Sequence, residues 1–363
     1  MFNNIDLRRL ADLSGPERAF VSLYLSTPDS YERLKPRIAK IRELLAGEPA
    51  ETGHFEENLK LVEQWLAEHT WTTDGLALFA CWALDFVEGY PLTVPGQELL
   101  WVDSSPYIRP IAELQDEYEN FVVVAADNTA SRVFFVTSAR ADQDARIKGG
   151  IKNNVKVGGW SQKRYERRRV NELVHYAKEI VDILAEIEQK ETFDRLLLVG
   201  SQETMTEIEN ALTPSLTAKL AGKRNVDFSA GDDQLFDAAF EMFAQAEREA
   251  EAQLWEKIKG EYCRGGLAVT GAEDVLKAAA VGRVEKIAVT RDAKIPGVRC
   301  RDCENLQAGA PEKCTICGSE SVFKVDLVNE LVELLALSSA EADFVDPIEG
   351  LSNAGDVAAL LRY

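Results

Sequence analysis

The sequence predicts an α/β protein of three domains. These are an N-terminal α/β domain over residues 1–107, a central mixed-sheet α/β domain with an exposed Gly-Gly loop over 108–260, and a C-terminal α/β domain over 261–363 with a cysteine-bearing ribbon inserted at 298–320. Three observations carry this reading. The chain has 363 residues, more than one hydrophobic core usually supports. Strand-like apolar runs alternate with stretches of helical period from Phe121 onward. Four of the six cysteines fall between Cys300 and Cys317.

The elements follow in order. Phe20 to Leu25 is an apolar run of strand type, and Tyr31 to Leu45 and Glu56 to His69 are amphipathic helices. Leu76 to Leu84 reads as a buried strand, and the Pro- and Gly-bearing stretch from Tyr90 to Pro110 as irregular chain approaching a boundary. Strands at Phe121 to Ala126 and Arg132 to Val136 are joined by a turn at Asp127-Asn128. A long helix from about Gln162 to Lys190, a strand at Leu196 to Val199 and helices near 203–220 and 232–258 complete the middle part. Ala272 to Val281 and Lys324 to Leu337 read as helices, Val284 to Thr290 and Ala342 to Val345 as strands, and a glycine-bearing tail ends the chain.

Composition excludes several classes. With 46% hydrophobic and 28% charged residues the chain is an ordinary globular one rather than a disordered one. No apolar run approaches the roughly 18 residues of a membrane helix, and the opening Met1-Phe2-Asn3-Asn4-Ile5 lacks the pattern of a secretory signal. A cytoplasmic location without a membrane partner is the expectation.

Charge is distributed unevenly. The formal net charge is −20, yet Arg146 to Arg169 carries nine Lys or Arg against the single acid Glu166. A basic segment on an acidic chain points to a local polyanion site. At its centre is Gly158-Gly159-Trp160-Ser161-Gln162. Glycines let backbone N–H groups approach a ligand, and the helix that follows offers its positive N-terminus to a phosphate or oxyanion. In that helix Val170, Leu173, Val174, Ala177, Val181 and Leu184 form one apolar stripe, with Arg164, Arg168 and His175 nearly opposite and open to solvent. A solvated basic face with no chemical role is the plain alternative.

Cys300-Arg301-Asp302-Cys303 and Cys314-Thr315-Ile316-Cys317 form two CxxC pairs ten residues apart. Each pair can present two thiolates to one tetrahedral ion, with sulfur–metal distances of about 2.3 Å. Four sulfurs leave no open coordination position, so the predicted cofactor is a structural Zn2+ in a zinc ribbon over 298–320. Unpaired or redox-active thiols are the alternative.

The run Gly158-Gly159-Trp160-Ser161-Gln162-Lys163-Arg164-Tyr165-Glu166-Arg167-Arg168-Arg169 resembles the loop and helix of the eukaryotic and archaeal class I peptide release factors, whose usual form is Gly-Gly-Gln-Ser-Ala-x-Arg-Phe-x-Arg. Gly282-Arg283-Val284-Glu285-Lys286-Ile287 and the ending from Gly350 to Leu360-Leu361-Arg362-Tyr363 resemble the third domain of those factors, where archaeal members also carry a cysteine ribbon. The chain is most similar to the bacterial-archaeal release-factor-like family, related also to Pelota, over roughly residues 108–363. Two departures stand out. Trp160 occupies the place of the family's catalytic glutamine, with Gln162 two residues on, so either the loop is re-registered or the chemistry has been lost. The first domain lacks the Asn-Ile-Lys-Ser and Tyr-x-Cys patterns by which release factors read stop codons.

The resemblance implies a codon-independent release or rescue factor that promotes hydrolysis of peptidyl-tRNA on the large ribosomal subunit. Gly158, Gly159 and Gln162 take the catalytic place, while Lys148, Lys152, Lys156, Trp160, Ser161, Lys163, Arg164, Arg167 and Arg168 contact RNA. It leaves the C-terminal domain as the place where a GTPase or another translation factor would dock. Cleavage of the tRNA near its 3′ end and a non-catalytic ribosome-binding role are the two alternatives. None of His54, His69 and His175 lies beside a plausible nucleophile, so a histidine-dependent hydrolase is not expected.

Overall fold

The computed structural model describes residues 5–71, 73–92, 98–117, 120–137, 140–148, 160–191, 193–226 and 232–363. Contacts divide the chain into two compact units, Met1–Glu117 with Glu251–Tyr363, and Tyr118–Ala250. The first and third expected segments thus share one unit.

Leu7–Ala11 (α1) is capped by Asp6, whose Oδ1 accepts the Arg9 N–H at 3.1 Å. Phe20–Leu25 (β1) has both faces buried, in keeping with an apolar run interrupted only by Ser22. Ser30–Leu45 (α2) and Pro49–Glu68 (α3) precede Gly75–Cys81 (β2), Phe86–Leu92 (β3), Leu99–Asp103 (β4) and Arg109–Glu117 (α4). The strands form an antiparallel sheet in the order β3-β2-β1-β4. Val21, Leu23 and Leu25 meet Leu34 and Ile38 of α2 and Phe55, Leu59 and Val62 of α3. The stretch from Tyr90 to Pro110, expected to be irregular, instead includes the end of β3, all of β4 and the start of α4. Pro91 is accommodated in a strand because proline is tolerated where one edge is unpaired, and β3 is such an edge among the described residues. Gly89 lies under the Trp65 ring, where a Cβ would come within 2.3 Å of a ring carbon.

The second unit opens with Phe121–Ala126 (β5) and Ala130–Thr137 (β6), joined by a turn in which Asp127 Oδ1 accepts the N–H groups of Thr129 and Ala130. Arg140–Lys148 (β7), Trp160–Lys190 (α5), Arg195–Gly200 (β8), Gln202–Ala211 (α6), Pro214–Ala218 (α7), Leu220–Asn225 (β9) and Asp232–Cys263 (α8) follow. The sheet order is β7-β6-β5-β8-β9, antiparallel on the β6 side of β5 and parallel on its β8 side. This is the mixed sheet expected. Side chains alternate across it: Val122 and Val124 pack with Leu173, Ala177, Ile180 and Leu184 of α5, while Phe121, Val123 and Ala125 face Leu235 and Ala239 of α8. The single helix expected near 203–220 is interrupted, since Pro214 cannot continue α6 and restarts the chain as the first residue of α7 under a Thr213 cap.

The chain returns to the first unit through the end of α8. Ala268–Thr270 (β10), Ala272–Ala280 (α9), Val284–Thr290 (β11), Pro296–Cys300 (β12), Leu306–Ala308 (β13), Val322–Asp326 (β14), Leu327–Ser338 (α10), Glu341–Val345 (β15), Glu349–Asn353 (α11) and Val357–Leu361 (β16) complete it. The main sheet runs β10-β16-β11-β15, and a small antiparallel sheet, β13-β12-β14, carries the cysteines. Two expectations change here. The tail is an inner strand, because all five residues of β16 are buried between β10 and β11. The helix expected from Lys324 begins at Leu327, because Lys324 pairs with Val298 in the small sheet and Asp326 caps the Val328 N–H at 3.0 Å.

A buried polar seam joins the two segments of this unit. Asn329 Oδ1 accepts the N–H groups of Ile108 and Arg109 at 2.8 and 3.0 Å, and Ser105 donates to Glu333 at 2.7 Å. Tyr107 and Arg109 both donate to Asp326, at 2.8 and 3.1 Å, and Arg109 also donates to the Ala293 carbonyl at 2.9 Å. Burial pushes the Glu330 carboxyl up to about 7 despite its ion pair with Arg299, and burial together with Glu330 itself pushes Glu333 well above the carboxylate range. A carboxyl whose folded pKa exceeds its unfolded value adds stability as pH falls, here through about 7 toward about 4.5. The thermal midpoint of the chain should therefore gain from lowering the pH from about 8 to about 6, and Glu330→Gln should flatten that gain. Thermal unfolding of both proteins at the two pH values checks it, and identical pH profiles would remove Glu330 as the source.

Candidate functional site

The four clustered cysteines converge. Their sulfurs all lie within 4.8 Å of one another, with Cys300 to Cys317 and Cys303 to Cys314 at 3.5 Å. A tetrahedral ion at 2.3 Å from each sulfur separates the sulfurs by about 3.8 Å, so the cluster has room for one metal ion. Local backbone explains the convergence. Cys300 ends β12 in register with Val322, and the Glu304 N–H closes a tight turn on the Cys300 carbonyl at 3.0 Å. The Gly318 N–H does the same to Cys314 at 2.9 Å, with Gly318 at φ +76, where a side chain would be strained. Cys300 and Cys314 are buried, and Cys303 and Cys317 are exposed.

Electrostatics favours a cation here. The Cys317 N–H and then the Ile316 N–H hold the Cys314 thiol down at about 6. The Asn305 N–H pulls Cys303 the same way, but desolvation and its bonds to the other three thiols outweigh it and drive Cys303 up to about 12. One thiolate forms readily and further ones meet its charge, which a bound cation would relieve. Sequence spacing identified all four residues. It did not identify Glu51, a carboxylate buried to 0% exposure that meets Arg301 from within the first cysteine turn. A signal was present in the spacing Glu51, Phe55, Asn58, Leu59 and Val62, which puts an acid in the core-facing register of α3.

For the glycine loop, Gly158, Gly159, Lys152 and Lys156 lie outside the described residues. Lys148 ends β7, and α5 begins at Trp160, so Trp160, Ser161, Gln162 and Lys163 occupy its first turn and Arg164, Arg167 and Arg168 the next two. Helical period places positions 164 and 168 along the same line as His175, which is exposed. The buried line of α5 is Leu173, Ala177, Ile180, Leu184 and Ile187, with Val174 half-buried beside it. The histidines have other company than a nucleophile: His69 stacks on Trp65 at 4.3 Å and His54 lies 6.2 Å from the Trp82 ring. No helix among the described residues is long and apolar enough to cross a membrane.

Comparison with known proteins bears on the middle of the chain first. Residues 106–244 match the model of bacterial archaeo-eukaryotic release factor family 10. Peptide chain release factor subunit 1 of Methanococcoides burtonii is 24% identical over 290 residues, covering 72% of this chain and 70% of the relative. That of Archaeoglobus fulgidus is 25% identical over 283 residues with the same coverage. Among solved structures, Saccharomyces cerevisiae Dom34 is 11% identical over 76% of this chain and 73% of its own, with a TM-score of 0.43. Archaeal Pelota, in a model of the ribosome-bound protein with ABCE1, is 16% identical over 80% and 77%, with a TM-score of 0.44. Over residues 106–244 the chain is thus similar to the bacterial archaeo-eukaryotic release factors, the same group that its glycine loop resembles.

Proposed function

We propose that this protein is a ribosome-associated release or rescue factor that promotes hydrolysis of peptidyl-tRNA without reading a codon. The observation that carries the reading is the direct succession of Gly158-Gly159 and the first turn of α5, within a segment of nine basic residues and one acid. The target bond is an activated ester, so the protein need supply position and dipoles rather than a nucleophile. In this mechanism the Gln162 amide holds the attacking water, and a backbone N–H of the glycine loop faces the developing oxyanion. The tRNA hydroxyl and the ribosome supply the rest. The basic residues from Lys148 to Arg168 track RNA phosphates, and Trp160 either stacks on an unpaired base or packs against its own loop.

Charge also supports codon independence. Residues 1–117 hold ten Lys or Arg against twenty Asp or Glu, a poor surface for messenger RNA. The four-cysteine centre holds Zn2+ in a structural role, since thiolate donors suit that ion and all four positions are filled by protein. Partners are the large subunit with its peptidyl-tRNA and, at the C-terminal segment, a GTPase or other translation factor, all in the cytoplasm.

Gln162→Ala should lower release from stalled peptidyl-tRNA by about 100-fold or more, as loss of one oriented polar group does elsewhere, while co-sedimentation with large subunits persists. Undiminished release by this variant would exclude Gln162. The tRNA end separates the chemistries: an intact 3′ end means ester hydrolysis, a shortened one means nuclease action, and no release means a binding role.

If the basic segment makes about six or more phosphate contacts, large-subunit affinity should fall by roughly 1,000-fold between about 50 and 200 mM salt. Filter binding across that range checks it, and a flat salt response would contradict the RNA contact.

Protein purified under reducing conditions should contain one zinc per chain, and chelation should unfold the ribbon around Cys300–Cys317 while the helices of the middle unit stay folded. Elemental analysis with circular dichroism tests this. A metal-free chain with an intact ribbon would refute it.

A further inference from the structure

Glu51 is the third residue of α3, and its carboxylate has no exposure to solvent. Two guanidinium groups reach it. Arg18 Nη1 donates to Oε2 at 3.0 Å, and Arg301 Nη1 lies 2.6 Å from Oε1, an ion pair by distance without the alignment of a hydrogen bond. Both guanidinium carbons also sit over the buried Phe323 ring, at 5.2 and 5.3 Å from its centre. Arg18 belongs to the same chain segment as Glu51. Arg301 comes from the ribbon, between the two cysteines of the first pair, where its own N–H donates to the Ser321 carbonyl at 2.9 Å.

We infer that Arg301 is a positioning residue that latches the start of α3 onto the ribbon, so that metal binding at the cysteine centre controls how firmly the N-terminal segment is held. The physical reason is the asymmetry of a buried pair. A carboxylate oxygen out of water is tolerated only with a cation or donor beside it; Arg18 holds Oε2, so losing Arg301 leaves Oε1 buried with neither. An exposed pair would transmit almost nothing, because water replaces the lost partner. Cys300 and Cys303 bracket Arg301, so an ion that fixes both sulfurs fixes the backbone that aims the guanidinium. A small sheet of β12, β13 and β14 has little core of its own to do so otherwise. Arg301 ligates nothing, which makes the latch separable from the metal site itself.

The test is amide hydrogen exchange of the full chain, read in the first two turns of α3, with zinc content measured alongside. Arg301→Ala should keep one zinc per chain yet raise exchange there at least ten-fold. Chelation should do the same to the unaltered protein and add little to Arg301→Ala. Glu51→Leu removes the charge that needs the latch, so its α3 should stay protected with or without chelator. The inference is overturned if α3 keeps its protection in zinc-loaded Arg301→Ala. It is equally overturned if chelation opens α3 in Glu51→Leu as much as in the unaltered chain, or if a metal-free chain protects α3 as well as a loaded one.

Discussion

A charge can be taken out of water only where a partner charge or an aligned donor is brought to it, and this constraint joins the two distant parts of the first unit. Residues 103–109 and α10 with its cap Asp326 are more than 200 positions apart, yet Asn329, Glu333 and Asp326 accept from five backbone or side-chain donors of that short stretch. Arg109 is itself buried, between Asp326, Glu113 and the Ala293 carbonyl. Replacing any one member leaves the others unsatisfied in a dry place, at a cost of about 1–3 kcal/mol for a neutral group and more for an ion. Apolar contacts alone would allow the segments to slide. The seam fixes one register, because only one alignment satisfies every donor.

The same scarcity of positive charge shapes the rest of the molecule. An acidic protein with the proposed RNA partner could not meet it with its average surface, since like charge raises the cost of every approach. Residues 118–250 hold eighteen Lys or Arg against twenty-two Asp or Glu, and nine of those cations fall between Arg146 and Arg169. The remaining middle-unit cations are held by the protein's own acids in several places, as Lys219 is by Glu188 and Arg224 by Glu241. Half of the cations of residues 118–250 thus fall in one stretch of sequence that runs into α5. On the proposed reading such an arrangement would guide RNA to one place rather than merely attract it.

Much of the fold was legible because burial and sequence agree where both faces of a strand are covered. β1, β5 and β11 fall on their expected bounds, and each is mainly apolar, β5 without a break, β1 around Ser22 and β11 after Glu285-Lys286. The elements that escaped are half-covered or held by pairing. β9 reads Leu-Ala-Gly-Lys-Arg-Asn and is a strand only because β8 pairs with it, and Pro91 in β3 hid an edge strand. In the ribbon the cysteines were plain from spacing, but the three short strands that present them have no apolar period long enough to see. Glu51 escaped for a different reason. A carboxylate in a core register looks like a helix boundary until the cation that meets it is known, and that cation lies 250 residues away.

The departure at Trp160 narrows what the glycine loop can do. Helix α5 begins at Trp160, the position at which the release-factor pattern has the glutamine. An indole has one N–H donor and no acceptor, so it cannot hold a water by both proton and lone pair as an amide can. Gln162 has that capacity, but it stands two residues further along the same turn, roughly 200° around the helix axis and 3 Å along it. On the proposed reading, an amide two positions on meets the same bond only if the chain enters α5 at a different angle than the release-factor pattern does. The sequence has Gly158 and Gly159 at that point, and neither carries a Cβ to restrict the backbone there.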